Sequence, residues 1–476
     1  MNRLLCLLLL TPVIILAGCS KFLDKQPQTE IRTSTFWHTE DDIRTAIAGM
    51  YSGMQDVCTT GYFYYGDSRS DNFYDNPKYG NVSYYTNGLT SSINGSDWSP
   101  LYTVIGRAND LLKHVPQVKA LQPGIDPKAI NYYLSEAYNV RAWCYFQLAR
   151  VWGAAPVWTI PYDSVGIDPY KSRTPANTLL DSLVIPDLLT AANLSDPAQK
   201  TVWEANLGLT YALLLDVSMW KHDYTGAIGW YNKITGLNRY KLEPTATWKN
   251  LMISPDKTVE NIWSIYWDWT TDGGAGISGQ IGAGNTNSTF KISDPIWNYF
   301  STTPTDIRSA QSVDLKVKAH DKTLKFYAVN LDAKGNQIYP ANNQANVYFP
   351  IYRFADMILL RAEAANSLSD RATALTLLNQ VHTRAGLTAY TATTLPDSTT
   401  MSNAILTERQ YEFFAEGRRY FDLVRNGLVS TVMDPIIKVH KPDAQPFSAD
   451  ARTILWPLSI TVLNANPKLT QNQPYN

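Results

Sequence analysis

Tyr132-Tyr133-Leu134-Ser135-Glu136-Ala137-Tyr138-Asn139-Val140-Arg141-Ala142-Trp143-Cys144-Tyr145-Phe146-Gln147-Leu148-Ala149-Arg150-Val151-Trp152-Gly153-Ala154-Ala155-Pro156-Val157-Trp158 is the stretch that decides the fold. Leu134, Ala137, Cys144, Leu148 and Val151 form one stripe at helical spacing, and Tyr138, Ala142, Tyr145, Ala149 and Trp152 form a second. Together they cover well over half the circumference. Gly153 supplies a stop, and Pro156 keeps the helix from resuming. A helix apolar on so many sides belongs between neighbours, as in a helical repeat or bundle. Arg141 and Arg150 lie in or beside the stripes, so each needs a carboxylate partner. This is a core helix and not a reaction centre.

The run Glu136-Ala137-Tyr138, Arg141-Ala142, Tyr145-Phe146, Leu148, Arg150, Trp152-Gly153 and Pro156 resembles the central helix of the SusD/RagB family. Further matches are Phe22-Leu23-Asp24 with Pro27 and Thr29, and Phe36-Trp37 with Glu40-Asp41, Ala46 and Gly49-Met50-Tyr51. The last is Glu408-Arg409, Glu412, Glu416-Gly417-Arg418-Arg419, Asp422-Leu423 and Arg425. The resemblance therefore spans the mature chain. It implies a surface nutrient-binding lipoprotein of Bacteroidetes-type bacteria. The ligand would be held by loop aromatics and polar residues away from the repeat helices. A SusC-like TonB-dependent transporter would be the partner.

Bulk properties agree with a binding protein but do not choose its ligand. Across 476 residues, 41 basic and 42 acidic side chains leave a net charge of −1, which gives no electrostatic reason to expect nucleic acid. Fourteen Trp and 29 Tyr serve cores and binding platforms equally well.

Residues 1–18 have the pattern of a secretory signal, with Arg3 followed by an apolar run from Leu4 to Leu16. That run falls short of the about 20 apolar residues a membrane span needs. Leu16-Ala17-Gly18-Cys19 resembles a bacterial lipobox, with Cys19 as the acylated residue. Several acyl chains on one cysteine anchor a protein stably, whereas one does not. The expected organisation is therefore a signal peptide (1–18), a lipidated tether (19–35) and a single domain (36–476). Outer-membrane localisation, facing the cell surface, is what the resemblance implies.

Along the domain, Thr39 caps a helix running to about Met54, and Trp98–Leu112 forms another. Residues 60–96, rich in Gly, Asn, Ser, Asp and Tyr, have no sustained period and are expected as a long functional loop. A helix follows near 177–192. Leu207-Gly208-x-x-Tyr211 and Ala227-x-x-x-Tyr231 match the two helices of a tetratricopeptide repeat, with about seven extra residues between them. Phe354–Asn366 and Ala374–Gly386 form a weaker pair. Between these hairpins lie a predicted strand over Ile262–Trp269, a glycine-rich run over Gly273–Gly284 and an extended Val347–Ile351. A last long helix is expected over Asn403–Arg425. The fold class is thus mostly α, an interrupted tetratricopeptide-like scaffold with a loop-rich, partly β elaboration near 60–97 and 240–350.

The chemical candidates are weak. Gly274-x-Gly276-x-x-Gly279 lacks the following helix that a dinucleotide fingerprint needs. Glu408, Glu412 and Glu416 share a predicted helix face with interleaved arginines, including Arg418–Asp422 at i,i+4, the pattern of an ion network and not of acid–base groups. The six histidines are scattered, so no metal or other cofactor is expected, and nothing marks an enzyme. Cys58 and Cys144 permit a bridge only if the bond's geometry is met.

The remaining candidates are polar and aromatic. Trp267 and Trp269 share one face of the predicted strand and either pack on the helices or stack on a sugar ring. Arg69, Asp71, Asn72, Tyr84, Tyr85 and Asn87 supply similar groups in the 60–96 loop and either pack locally or bind. The expected function is non-catalytic capture of an oligosaccharide or polysaccharide, with the glycan handed to the transporter. Peptide or another non-glycan nutrient, or a purely structural role beside the transporter, are the alternatives.

Overall fold

The computed structural model describes residues 36–79, 84–163, 166–281, 288–328, 330–340 and 344–475. The signal, Cys19 and the 19–35 tether lie outside them, as do residues 282–284 of the glycine-rich run.

The helical framework comprises α1 (Glu40–Val57), α2 (Ser99–Leu121), α3 (Pro127–Trp152), α4 (Ile185–Leu194), α5 (Leu207–Trp220), α6 (Tyr224–Gly236), α7 (Phe354–Ser367), α8 (Arg371–Arg384) and α9 (Ser398–Glu412). It is the mostly α, tetratricopeptide-like scaffold that the periodicity indicates. Helix α3 begins at the Asp126 cap with Pro127 in its first turn and ends at Gly153, whose φ of 78° a glycine adopts without Cβ strain. Nearly every residue after Tyr132 on α3 is buried. Arg141 finds its carboxylate on a neighbouring helix, donating through Nε and Nη2 to both oxygens of Asp187 at 2.8 Å. Arg150 reaches Asp216 at 3.4 Å and lies over Phe421, 4.0 Å from the ring centre.

The two hairpins, α5–α6 and α7–α8, are separated in sequence but adjacent in space. Helix α6 packs directly on α7, with Tyr231 stacked on Phe354 at 6.1 Å. The intervening 240–350 segment is therefore set to one side of a continuous helical stack. Within it, β2 (Asn261–Trp267) pairs antiparallel with β4 (Val347–Arg353), placing Tyr266 opposite Tyr348 and Trp267 opposite Val347. A second ribbon joins β1 (Phe73–Asp75) to β3 (Phe290–Ile292).

Four expectations are corrected. The first helix does not stop near Met54. A π-turn over Cys58–Tyr62 and a short helix Phe63–Gly66 carry it onward, because burial of Tyr62, Phe63, Tyr64 and Tyr65 overrides poor helix propensity. The long C-terminal helix is broken after Glu412: Ala415 and Gly417 take positive φ, and α10 (Arg419–Arg425) starts afresh. In consequence Arg418 does not pair with Asp422 but reaches Asp216 and Asp356. The five-residue helix Ile277–Ile281 follows the first glycines of the glycine-rich run, where the sequence suggests none. Finally, β2 ends at Trp267. Asp268 caps a four-residue helix that starts with Trp269, so the two tryptophans do not share a strand face. Cys58 and Cys144 are both buried free thiols.

The turn after α9 closes a buried ion network. Glu412 accepts from Arg384 at 2.6 Å, from Arg353 at 2.9 Å and from Arg308 at 3.1 Å. Arg353 also donates to Glu260 and Glu416, and Lys325 pairs with Glu416 at 2.6 Å. Glu408 accepts from Arg308 at 2.7 Å, so Glu408, Glu412 and Glu416 all serve structure, although these partners come from distant segments and not from the same helix.

Candidate functional site

The helices and β2 line an open cavity of about 700 Å³. One wall is a single face of α1, where Arg44, Ile47, Ala48, Tyr51 and Gln55 recur at helical spacing. The first turns of α3 contribute Tyr132, Tyr133 and Glu136; β2 contributes Ser264, Ile265 and Tyr266. Trp203 and Glu204, just ahead of α5, complete the lining, and Thr271 and Asp272 stand at its edge.

Asn206 holds the Trp203–Glu204 segment in place. Its side-chain oxygen caps α5 by accepting from Gly208 and Leu209, while its amide donates to the carbonyls of Thr201, Glu204 and Ile262. Asn206→Ala removes both roles, so a stability loss of about 0.5–2 kcal/mol is expected for the cap alone, measured by urea unfolding.

Aromatic and acidic groups line this space together. Tyr266 is 45% exposed and meets Trp203 edge-on at 5.1 Å; Trp203 in turn lies 5.5 Å from Tyr348. Tyr51 donates its hydroxyl to Glu136 at 2.7 Å and accepts from the Ala205 backbone N–H at 2.7 Å. Tyr132 donates to Glu204 at 2.8 Å. Arg44 is tied to Glu40 at 2.8 Å, and Tyr133 donates to that same carboxylate.

Burial, followed by the nearby Glu204 charge, pushes the Glu136 carboxyl well above its ordinary range; the Tyr51 hydrogen bond opposes both. A raised carboxyl contributes stability that is present below the ordinary carboxylate range and is lost as pH rises through the folded-state value. Glu136→Gln is therefore expected to stabilise the protein at neutral pH by about 0.5–2 kcal/mol, with the gain vanishing in acid. Thermal melts across pH check this.

The residues singled out in sequence fall elsewhere, Trp269 apart. Arg69 is buried, donating to the carbonyls of Thr453 and Ile454 and to Asn87, with its guanidinium 4.9 Å from the Tyr420 ring centre. Asp71 receives both arms of Arg419 and the amide of Gln410. Asn72 donates to Asp67, and Tyr84 is buried with its hydroxyl on the Asn94 carbonyl. Asn87 bridges to Gln445 and Thr453, and Tyr85 lies against Tyr74 and His440. Arg69, Asp71 and Asn87 thus pin the 67–97 loop to residues 410–454, while Asn72 and Tyr84 bond within it. Trp267 is 3% exposed and faces the core, because the strand's alternation turns Tyr266 outward instead. Trp269 is 40% exposed, in the same short helix as Asp272 at the cavity's edge, and its backbone N–H donates to Asn346.

The cavity residues carry little local signal. Tyr266 sits on the strand face opposite Trp267, which alternation does reveal, but Tyr51, Glu136 and Glu204 are joined only by packing.

Comparison with known proteins agrees with this architecture. The family model described as "SusD family" matches residues 298–475, and one described as "Starch-binding associating with outer membrane" matches residues 21–202. The chain is 28% identical to SusD-like protein P38 of Formosa agariphila over 100% of this chain and 99% of that protein. It is 24% identical to a SusD-like protein of Bacteroides ovatus, covering 88% and 81%. Among solved structures, a SusD superfamily protein of Bacteroides fragilis superposes with a TM-score of 0.74 at 20% identity, covering 93% of this chain and 100% of that one. NanU of B. fragilis gives 0.74 at 21%, covering 95% and 100%. The chain belongs to the SusD/RagB family, whose members are generally glycan- and nutrient-binding proteins associated with the outer membrane.

Proposed function

We propose that the protein captures an oligosaccharide or polysaccharide in the cavity between α1, α3 and β2, without chemistry, and delivers it to a SusC-like TonB-dependent transporter. The observation that carries this reading is the cavity itself. It joins the exposed Tyr266 ring and Trp203 to hydrogen-bonding groups on Gln55, Glu136, Glu204 and Asp272. An aromatic face meets the apolar C–H face of a pyranose, while carboxylates and amides bond its hydroxyls. Trp269 extends the aromatic surface at the edge. The Cys19 anchor would hold this body on the outer membrane, and residues 36–476 would form its single domain. A few ring contacts and hydrogen bonds, less the cost of ordering, correspond to about 4–8 kcal/mol, or millimolar to micromolar dissociation constants.

Affinity electrophoresis against plant, host and microbial polysaccharides tests the reading. Retardation by at least one glycan is expected. Free migration through every glycan overturns capture and favours a peptide ligand or a structural role.

A further inference from the structure

The acidic end of this cavity has a feature that sugar hydroxyls alone do not require. Glu136 is 1% exposed, yet no Lys or Arg among the described residues lies within ion-pair distance of it or of Glu204. Several buried carboxylates are matched with cations, Asp187 with Arg141, Glu412 with three arginines and Glu363 with Arg425, whereas Asp67 is satisfied by the Asn72 amide and the Gly417 N–H. Glu136 has only the Tyr51 hydroxyl, and it lines a cavity beside a second acid, Glu204.

Each of the two carboxylates uses one oxygen, Oε2, on a tyrosine hydroxyl. The second oxygen, Oε1, accepts from no described residue, and both side chains line the cavity. The one basic side chain among the described lining residues, Arg44, is held by Glu40. A buried carboxylate without a cation is costly, and that cost falls when a ligand supplies the missing charge. It also rises when a ligand brings a second negative charge, so the same arrangement selects against anions.

Resting on glycan capture in this cavity, we infer that the ligand carries a protonated primary amine, as in a 2-amino-2-deoxyhexose, seated between Glu136 and Glu204 with its ring against Tyr266 and Trp203. Burial, which pushes the Glu136 carboxyl up in the empty protein, is relieved by the incoming ammonium. Uronic and sulfated glycans are excluded by the same pair.

Isothermal titration at mildly acidic pH decides this with three tetrasaccharides: oligo-glucosamine, its fully N-acetylated counterpart and oligo-galacturonate. The amine form is expected to bind about 10- to 100-fold tighter than the acetylated one, since charge-assisted bonds replace neutral ones. The uronate is expected to give no heat. In Glu136→Gln/Glu204→Gln the preference should vanish. Equal or tighter binding of the acetylated form, comparable binding of the uronate, or a preference that survives the double variant overturns the inference. If the acetylated form binds without preference, capture stands and the amine assignment falls. If none of the three binds, the amine assignment falls, and the polysaccharide panel alone judges capture.

Discussion

Replacing Glu412 with alanine is expected to cost about 3–5 kcal/mol and to leave little folded protein at physiological temperature. The carboxylate sits fully buried among Arg308, Arg353 and Arg384, with the Trp248 indole N–H as a further donor at 3.3 Å. Its removal takes a shared carboxylate from three guanidiniums in a region that water does not reach, leaving Arg384 with Glu260, Arg353 with Glu260 and Glu416, and Arg308 with Asp306 and Glu408. The pH dependence has a definite sign. Burial alone would raise the Glu412 carboxyl, but the charges of Arg384, Arg353 and Arg308 outweigh it and hold the group well below the ordinary range. Its contribution is then fully present above the ordinary carboxylate value of about 4.3 and is lost as pH falls through the depressed folded value. Urea unfolding from neutral to acid pH should show a steep acid limb in the native protein. Glu412→Gln should lower stability at neutral pH and flatten that limb. An alanine variant within 1 kcal/mol of the native protein would show that the network contributes nothing, a threshold of about fivefold in the folding equilibrium.

The second large effect is on binding. Trp203→Ala with Tyr266→Ala should weaken glycan affinity about 10- to 100-fold, since aromatic pairs contribute roughly 0.5–1.5 kcal/mol each beyond the area they bury. Neither ring is a fully buried core residue, so the fold should survive. Trp267→Ala makes the contrasting control. Its ring is in the core, so it should lose stability by about 3–5 kcal/mol and weaken binding only as the fold loosens. Titration of the two variants, each with its melting curve, separates the two roles.

How much of this the sequence carries depends on whether the physics is local. The extent and burial of α3 follow from its own stripes, and its end from Gly153, because periodicity and a positive φ are properties of one segment. Both hairpins and both paired strands are legible for the same reason. Arg141 announces that it needs a carboxylate, but only packing selects Asp187. The break after Glu412 was hidden because Glu416, Gly417 and Arg418 continue a helical charge pattern, while the Gly66 backbone lies so close to Gly417 that the chain must turn there. The cavity is the least legible part. Tyr51, Glu136, Glu204 and Tyr266 belong to four separate segments, and nothing in any one of them points to the others. The aromatic and polar groups of the 67–97 loop match the composition of a binding loop equally well, but Arg69 spends its hydrogen bonds on holding the loop to the C-terminal segment, and Asn72 and Tyr84 spend theirs on Asp67 and Asn94 within the loop.

The most direct test is a crystal structure of the protein soaked with the glycan that retards it most in electrophoresis. The account predicts density for at least one sugar ring against Tyr266 and Trp203, with a polar group within hydrogen-bond reach of Glu136 or Glu204. Density instead over Tyr74, Tyr85 and Asn87, with the cavity holding only solvent, would contradict it.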